Sequence, residues 1–392
     1  MKSIELFTGA GGMALGLARA SFHVETVIER DPWACDSIRL NQQKGIEHVC
    51  TWRLLQSDVR EVNFEEQAGD VALLAGGPPC QPFSVAGRNR THGDDRNMFP
   101  AMLDAVRAVA PFSVLIENVP GLLRGRLQKY FEYVILQLGR PTLLRRDGES
   151  WAAHAERLRE AGRSHVRATE LAYDVRWQLL EAANFGVPQR RTRVFIVAFR
   201  RDLGTEWAFP TATHSREALL RDQWLTGDYW KRHGVPRRRR PTYPYSSIAP
   251  LLRAVELPAA SLAPWRTVRD ALARLPEPSE PGEEVILPNH VLIRGARPYR
   301  KHTGSPLDEP AKTLKAGNHG VPGGENMIRR PDGSVRYFSI RECARLQGFP
   351  DDYEFVGSWK HLVRQLGNAV PVDLAEVLGK TIHATLRRRR PA

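Results

Sequence analysis

The stretch Ile4-Glu5-Leu6-Phe7-Thr8-Gly9-Ala10-Gly11-Gly12 decides the fold. Residues 4–7 read as a short buried strand, 9–12 as a turn and 13–20 as a helix, and a second strand follows at 24–28. That order is the opening of a βαβ unit. A glycine turn between strand and helix lets bare backbone approach a ligand at the tip of the sheet. Working outward, apolar strand patterns recur at 71–75, 113–116 and 193–199, and a helical pattern lies at 101–110. This alternation predicts an α/β fold with a doubly wound, Rossmann-like sheet and ligands at the C-terminal ends of its strands.

The 392-residue chain carries 57 Lys and Arg against 44 Asp and Glu, a formal charge of +13, which favours a polyanionic partner. Its cysteines, Cys35, Cys50, Cys80 and Cys343, stand far apart without a C-x-x-C pair, so neither a zinc site nor a disulfide framework is expected. The N-terminus runs straight into a strand pattern, and no apolar run is long enough for a membrane span. The expectation is a cytoplasmic, nucleoid-associated protein with no membrane partner.

Residues 121–172 are charged and helical in pattern, and they read as a solvated insertion. From 200 to 335 periodicity fades and Pro, Gly, Arg and Trp accumulate, including the run Arg237, Arg238, Arg239 and Arg240. The expected division is a catalytic and cofactor-binding domain at 1–199, a smaller irregular domain at 200–335, and a return to the first domain at 336–392. Ser339 and Glu342 have capping-box spacing ahead of a helix ending near Gly348.

Gly9, Gly11 and Ala14 satisfy the loose G-x-G-x-x-A dinucleotide pattern, and Glu29 stands twenty positions after Gly9, where a ribose-binding acid belongs. Taken alone, this region admits an adenosine-containing cofactor, and an NAD dehydrogenase is a rival reading. Cys80 sits in Gly76-Gly77-Pro78-Pro79-Cys80-Gln81-Pro82-Phe83-Ser84, a proline-stiffened loop after a strand and a position suited to a nucleophile. The alternative is a small core cysteine. In Ile116-Glu117-Asn118-Val119-Pro120 a carboxylate ends another strand in apolar surroundings, where burial is unfavourable without a task or a partner.

Together these blocks resemble the DNA cytosine-5 methyltransferase family of bacterial restriction–modification systems. Its F-x-G-x-G-G block is similar to Phe7 through Gly12, P-C-Q to Pro79-Cys80-Gln81, and E-N-V to Glu117-Asn118-Val119. Its Q-x-R-x-R block resembles Gln189-Arg190-Arg191-Thr192-Arg193, R-E-x-A-R-L-Q-G-F-P resembles the stretch from Arg341 to Pro350, and G-N-A-V-P resembles Gly367 through Pro371. A dehydrogenase has no use for this ordered set.

The resemblance implies an S-adenosylmethionine-dependent DNA (cytosine-5) methyltransferase, releasing S-adenosylhomocysteine and needing no metal. It implies Cys80 as nucleophile at carbon 6 of a flipped cytosine, Glu117 as proton or hydrogen-bond donor to N3, Arg193 on O2, and Arg191 supporting the loop or the carboxylate. The cofactor residues it implies are Phe7, Gly9, Gly11, Gly12, Glu29, Arg30, Asp58, Val59, Pro79, Phe99, Asn368 and Val370. Relatives often carry tryptophan where this chain has Arg30, with Trp33 nearby. DNA contacts are implied for Gln81, Ser84, Arg88 and Arg90, for the arginines 237–240 on phosphates, and for Arg294, Arg297, Asn318 and His319. Double-stranded DNA is the implied partner of a monomer, beside a cognate restriction endonuclease without direct contact. A tRNA cytosine-5 methyltransferase and a non-catalytic DNA-binding regulator remain the alternatives.

Overall fold

Strands with apolar side chains on both faces need a cover on both faces, and β7 (Thr192–Arg200) shows how this chain supplies it. Val194, Ile196 and Ala198 pack into one core while Phe195, Val197 and Phe199 pack into the other. The structure is a computed structural model that describes residues 1–67, 69–79, 97–163, 170–241, 262–299, 303–317 and 326–388. Among these residues the main sheet also contains β1 (Lys2–Leu6), β2 (His23–Glu29), β3 (Arg53–Gln56), β4 (Val71–Gly76), β5 (Ser113–Asn118) and β6 (Tyr173–Glu181). Their order is β3-β2-β1-β4-β5-β7-β6. The first five pair in parallel, and β7 pairs antiparallel with both β5 and β6. Strand order reverses between β1 and β4, so the ligand crevice opens beyond their C-terminal ends.

Helix α1 (Gly12–Arg19) and the C-terminal helix Val372–Arg387 cover one face. Their axes come close because Gly16 lacks a side chain: a Cβ there would lie 2.4 Å from the Val372 carbonyl oxygen. Helices α3 (Phe99–Val109) and α4 (Arg126–Gly139) cover the other face, joined by α5 (Trp151–Arg163). Helix α2 (Pro32–Gln43) follows β2 and is capped by the Asp31 carboxylate.

The structure corrects the expectation of a solvated insertion at 121–172. Tyr130, Phe131, Val134 and Leu138 of α4 and Ala155 and Leu158 of α5 are buried in the core. His154 is buried between the Tyr133 hydroxyl and the Leu143 carbonyl, 2.8 Å from each. Arg159 lies on the outer side of α5, while Arg145 and Arg146 are exposed in the connection before it. The first strand also ends one residue early: Phe7 has φ +58, turning the chain before the glycines begin. Ser339 and Glu342 form the reciprocal capping box that their spacing predicts, and the helix Ile340–Leu346 follows.

Among the described residues of 200–335 the regular elements are short, including a two-stranded pair and a strand Ser305–Pro306 beside Met327–Arg329 and Val335–Tyr337, with a small core of Leu219, Tyr229, Trp230 and Val235. Val268, Ala271, Ala311, Leu314 and Ile328 pack instead into the main core. Gly16→Ala is therefore expected to destabilise the protein by about 1–3 kcal/mol through overpacking. Gly162→Ala in α5, where an added Cβ meets nothing within 4 Å, should be neutral or stabilising by a few tenths of a kcal/mol. Urea unfolding of the two variants checks the contrast.

Candidate active site

A cleft of about 620 Å³ lies at the C-terminal ends of the central strands. One end is built by the glycine turn and the acid that closes β2. Glu29 accepts the backbone N–H groups of Gly9 at 2.7 Å, Arg30 at 2.9 Å and Asp31 at 2.8 Å. The twenty-residue spacing is thus a direct contact, and the carboxylate is aimed by fixed backbone donors. Asp58 caps the turn that follows β3, and hydrogen bonds from Arg60, with help from Arg30, hold its carboxyl at about 2. Because the Arg30 guanidinium reaches Asp58 at 3.2 Å, it is already engaged. Trp33 stacks on the His361 ring at 4.6 Å.

Of the expected cofactor residues, Phe7, Gly9, Glu29, Arg30, Asp58, Val59, Pro79, Asn368 and Val370 line this cleft. Gly11, Gly12 and Phe99 do not. Added Cβ atoms would strike the Trp52 ring at 2.7 Å from Gly11 and the Val370 carbonyl at 2.5 Å from Gly12, so neither position has room for a side chain. Phe99 is fully buried, edge-on to Tyr130.

The other end gathers the E-N-V and Q-x-R-x-R segments. Arg193 Nε lies 3.0 Å from Glu117 Oε1, with the two side chains only 13% and 11% exposed. Gly77 stands opposite, where a Cβ would sit 3.3 Å from Glu117 Oε2. The Asn118 side-chain amide donates to the Pro78 carbonyl at 2.9 Å, and the Met98 amide donates to the Pro79 carbonyl. These ties fix the backbone immediately before Cys80. Cys80, Gln81, Ser84, Arg88 and Arg90 lie outside the described residues, as do Asn318 and His319. The remaining cysteines include two held as thiols. Burial, then the Glu29 charge, pushes Cys35 up to about 12, and burial with Glu342 raises Cys343.

Arg191 resolves an open alternative. Its guanidinium is fully buried and donates to the Leu314 and Gly367 carbonyls at 3.3 and 2.9 Å. It braces backbone rather than the Glu117 carboxylate. Burial, then Arg193, lowers its proton affinity while Glu117 raises it, and a guanidinium starts high enough to stay charged at neutral pH. Beside it, buried Gln189 accepts the Leu314 amide at 2.9 Å and donates to the Leu346 carbonyl at 3.2 Å.

Sequence reading missed two cleft residues. Glu5 is 2% exposed, lines the cleft floor, and has an Oε2 without a hydrogen-bond partner. Burial raises its pKa well above the usual range, against a hydrogen bond from the Ala14 amide, with Glu29 raising it further. An acid alternating with Ile4 and Leu6 in a buried strand was the available signal. Arg364, on the helix Trp359–Asn368, lines the cleft and pairs with Asp31 at 2.7 Å.

Among the expected DNA-contacting arginines, Arg237, Arg238 and Arg239 form an exposed turn. Arg240 lies over the Trp230 ring at 5.7 Å and donates to the Val235 carbonyl, so it is partly committed to structure. Arg294 is paired with Glu280 at 2.7 Å, and Arg297 is exposed. Removing the brace gives the clearest structural test. Arg191→Met leaves two buried carbonyls unsatisfied and is expected to lower the unfolding free energy by roughly 2–4 kcal/mol. A loss under about 1 kcal/mol in urea unfolding would show that these bonds are dispensable.

Comparison with known proteins agrees with this arrangement. The sequence pattern of the C-5 cytosine-specific DNA methylase family matches residues 1–140, 165–234 and 289–384. The type II methyltransferase M.NgoMIV of Neisseria gonorrhoeae is 28% identical over 98% of this chain and 98% of its own length. M.Eco47II of Escherichia coli is 30% identical over 97% of this chain and 78% of its own length. Among solved structures, S. pombe Dnmt2 methyltransferase superposes with a TM-score of 0.54 at 18% identity, covering 98% of this chain and 99% of that one. The Entamoeba histolytica methyltransferase EhMeth gives 0.52 at 13% identity, covering 98% of each. The ordered blocks, the doubly wound sheet and the shared cleft have one reading: the chain belongs to the C-5 cytosine-specific DNA methylase family.

Proposed function

We propose that this protein transfers a methyl group to carbon 5 of a flipped-out cytosine in a specific duplex DNA sequence, as the methyltransferase of a restriction–modification system. The observation that carries the reading is the Glu117–Arg193 pair on the same cleft as Glu29 and the glycine turn. It brings a base-binding pair and a nucleotide-binding acid into one enclosure.

S-adenosylmethionine, when bound, supplies an electrophilic methyl group. The residues present suit it. Glu29 is oriented for ribose hydroxyls, Asp58 for the adenine amino group, and the unpaired Glu5 oxygen for the ammonium of the amino-acid end. Phe7, Val59, Pro79, Asn368 and Val370 complete the walls.

Carbon 5 of cytosine is a weak nucleophile, so the ring is activated by addition of the Cys80 thiolate at carbon 6. Charge then builds toward N3 and O2. Glu117 delivers a proton or strong hydrogen bond to N3, and Arg193 holds O2 with a donor that stays charged throughout. After methylation the proton on carbon 5 leaves to solvent and the Cys80–carbon 6 bond breaks, restoring the thiolate. The target carbon is inaccessible in a stacked duplex, so the base swings out. Residues 200–335 act as the target-recognition domain, with Arg237, Arg238 and Arg239 on phosphates, where charge suffices.

The direct test incubates the protein with methyl-labelled cofactor and either duplex DNA or tRNA, then identifies the modified nucleoside. Labelled 5-methylcytosine from DNA is expected. Label confined to tRNA, or on an exocyclic nitrogen, would overturn the reading. Separately, Asp58→Ala should weaken cofactor binding in calorimetry by about 1–3 kcal/mol, the scale of one buried hydrogen bond. Unchanged affinity would displace the adenine pocket.

A further inference from the structure

Glu181, the last residue of β6, stands directly opposite Thr192 in the antiparallel pair with β7. Its two carboxylate oxygens are both used across that pair. Oε1 accepts the Arg191 amide at 2.6 Å, and Oε2 accepts the Thr192 hydroxyl at 2.9 Å. The Ala182 amide closes the same end by donating to the Arg191 carbonyl at 3.0 Å. The connection that carries Gln189 thus leaves and re-enters the sheet through a bracket centred on one carboxylate.

Successive strand side chains point to opposite faces, so Arg191 and Arg193 share one face and Thr192 takes the other. A slip of one residue, or a flip of the pleat, would send both guanidinium groups to the wrong side of the sheet. Arg191 would then lose the Leu314 and Gly367 carbonyls, and Arg193 would lose Glu117. Among the described residues β6 is the edge strand of the sheet, with no further strand beside it. Fixing the Thr192 hydroxyl on one face while holding the Arg191 amide sets the phase of the whole Arg191-Thr192-Arg193 segment.

We propose that Glu181 is a positioning residue for the methyl-transfer reaction, which holds Arg193 in register with Glu117 without touching substrate. This rests on the role given above to Arg193. The action is geometric: Arg191 responds to burial, Arg193 and Glu117, and both Glu181 contacts are to an amide and a hydroxyl. A neutral isostere therefore suffices. In Glu181→Gln the amide oxygen still accepts from Arg191 and the amide nitrogen donates to the Thr192 oxygen.

Steady-state methylation of duplex DNA by the full chain tests this. Glu181→Ala is expected to lower kcat by roughly 10- to 100-fold, the scale for misplacing a catalytic group by about 1 Å. KM for DNA and for cofactor should stay within about threefold, and Glu181→Gln should keep kcat within about threefold of the natural protein. Full kcat in Glu181→Ala overturns the proposal, as does a parallel rise of both KM values that glutamine does not rescue. Should Glu181→Ala fail to fold, Thr192→Val removes one contact and keeps the shape. A lowered kcat at unchanged KM then supports the proposal and an unchanged kcat sinks it. Arg193→Met, measured alongside, separates the two layers. If it is active, the role of Arg193 falls and this inference with it, whereas an inactive Arg193→Met beside a fully active Glu181→Ala removes the inference alone.

Discussion

A guanidinium taken wholly out of water must find acceptors, and the two that Arg191 finds belong to distant parts of the chain. Leu314 lies far beyond the small cluster of Leu219, Tyr229, Trp230 and Val235, and Gly367 begins the block that brings Asn368 to the cleft. The approach is tight, since a Cβ on Gly367 would lie 2.3 Å from the Ala316 amide nitrogen. One buried charge therefore holds β7, the 311–317 segment and the start of the last block around a common point. Gln189 repeats the arrangement two residues earlier through Leu314 and Leu346. Breaking such a charge from its partners is unfavourable by several kcal/mol, which makes the assembly all-or-none.

From that point the two ends of the cleft acquire distinct electrostatic characters. Glu5, Glu29, Asp31 and Asp58 surround one end, tempered by Arg30 and Arg364. The excess of carboxylates suits a cofactor that carries positive charge at sulfur and nitrogen. At the other end the Arg193 guanidinium faces Glu117, a charged donor suited to negative charge developing on a ring. Backbone donors aim Glu29 and a backbone acceptor anchors Asn118, so neither side chain must reorganise when a ligand arrives.

Much of this was legible in the sequence because local chemistry and global fold agree there. The strand-turn-helix at the N-terminus and the capping box at Ser339 rest on near neighbours or on alternation along a strand, and the spacing from Gly9 to Glu29 is the length of one turn-helix-strand step. The buried nature of α4 and α5 was obscured because exposed charged residues such as Glu132, Glu156 and Arg159 are interleaved with the apolar positions that face the core. Glu5 escaped notice because a single acid in a short apolar strand is ambiguous without its neighbours. Glu181 and Arg364 act through partners 10 and 333 positions away, a separation that periodicity does not report. Gly11 and Gly12 carry a second constraint that the sequence does not display, since a side chain there would meet Trp52 and Val370.

The covalent step is the claim on which the chemistry turns, and it is most directly tested with a duplex carrying 5-fluorocytosine at the target position. Fluorine cannot depart from carbon 5 as a proton does, so a thiolate adduct at carbon 6 cannot resolve after methylation. With cofactor present, the protein should accumulate as a denaturation-resistant complex with DNA, and peptide mapping should place the link on Cys80. A link on Cys35, Cys50 or Cys343, or no complex under conditions where the unfluorinated duplex is methylated, would contradict it.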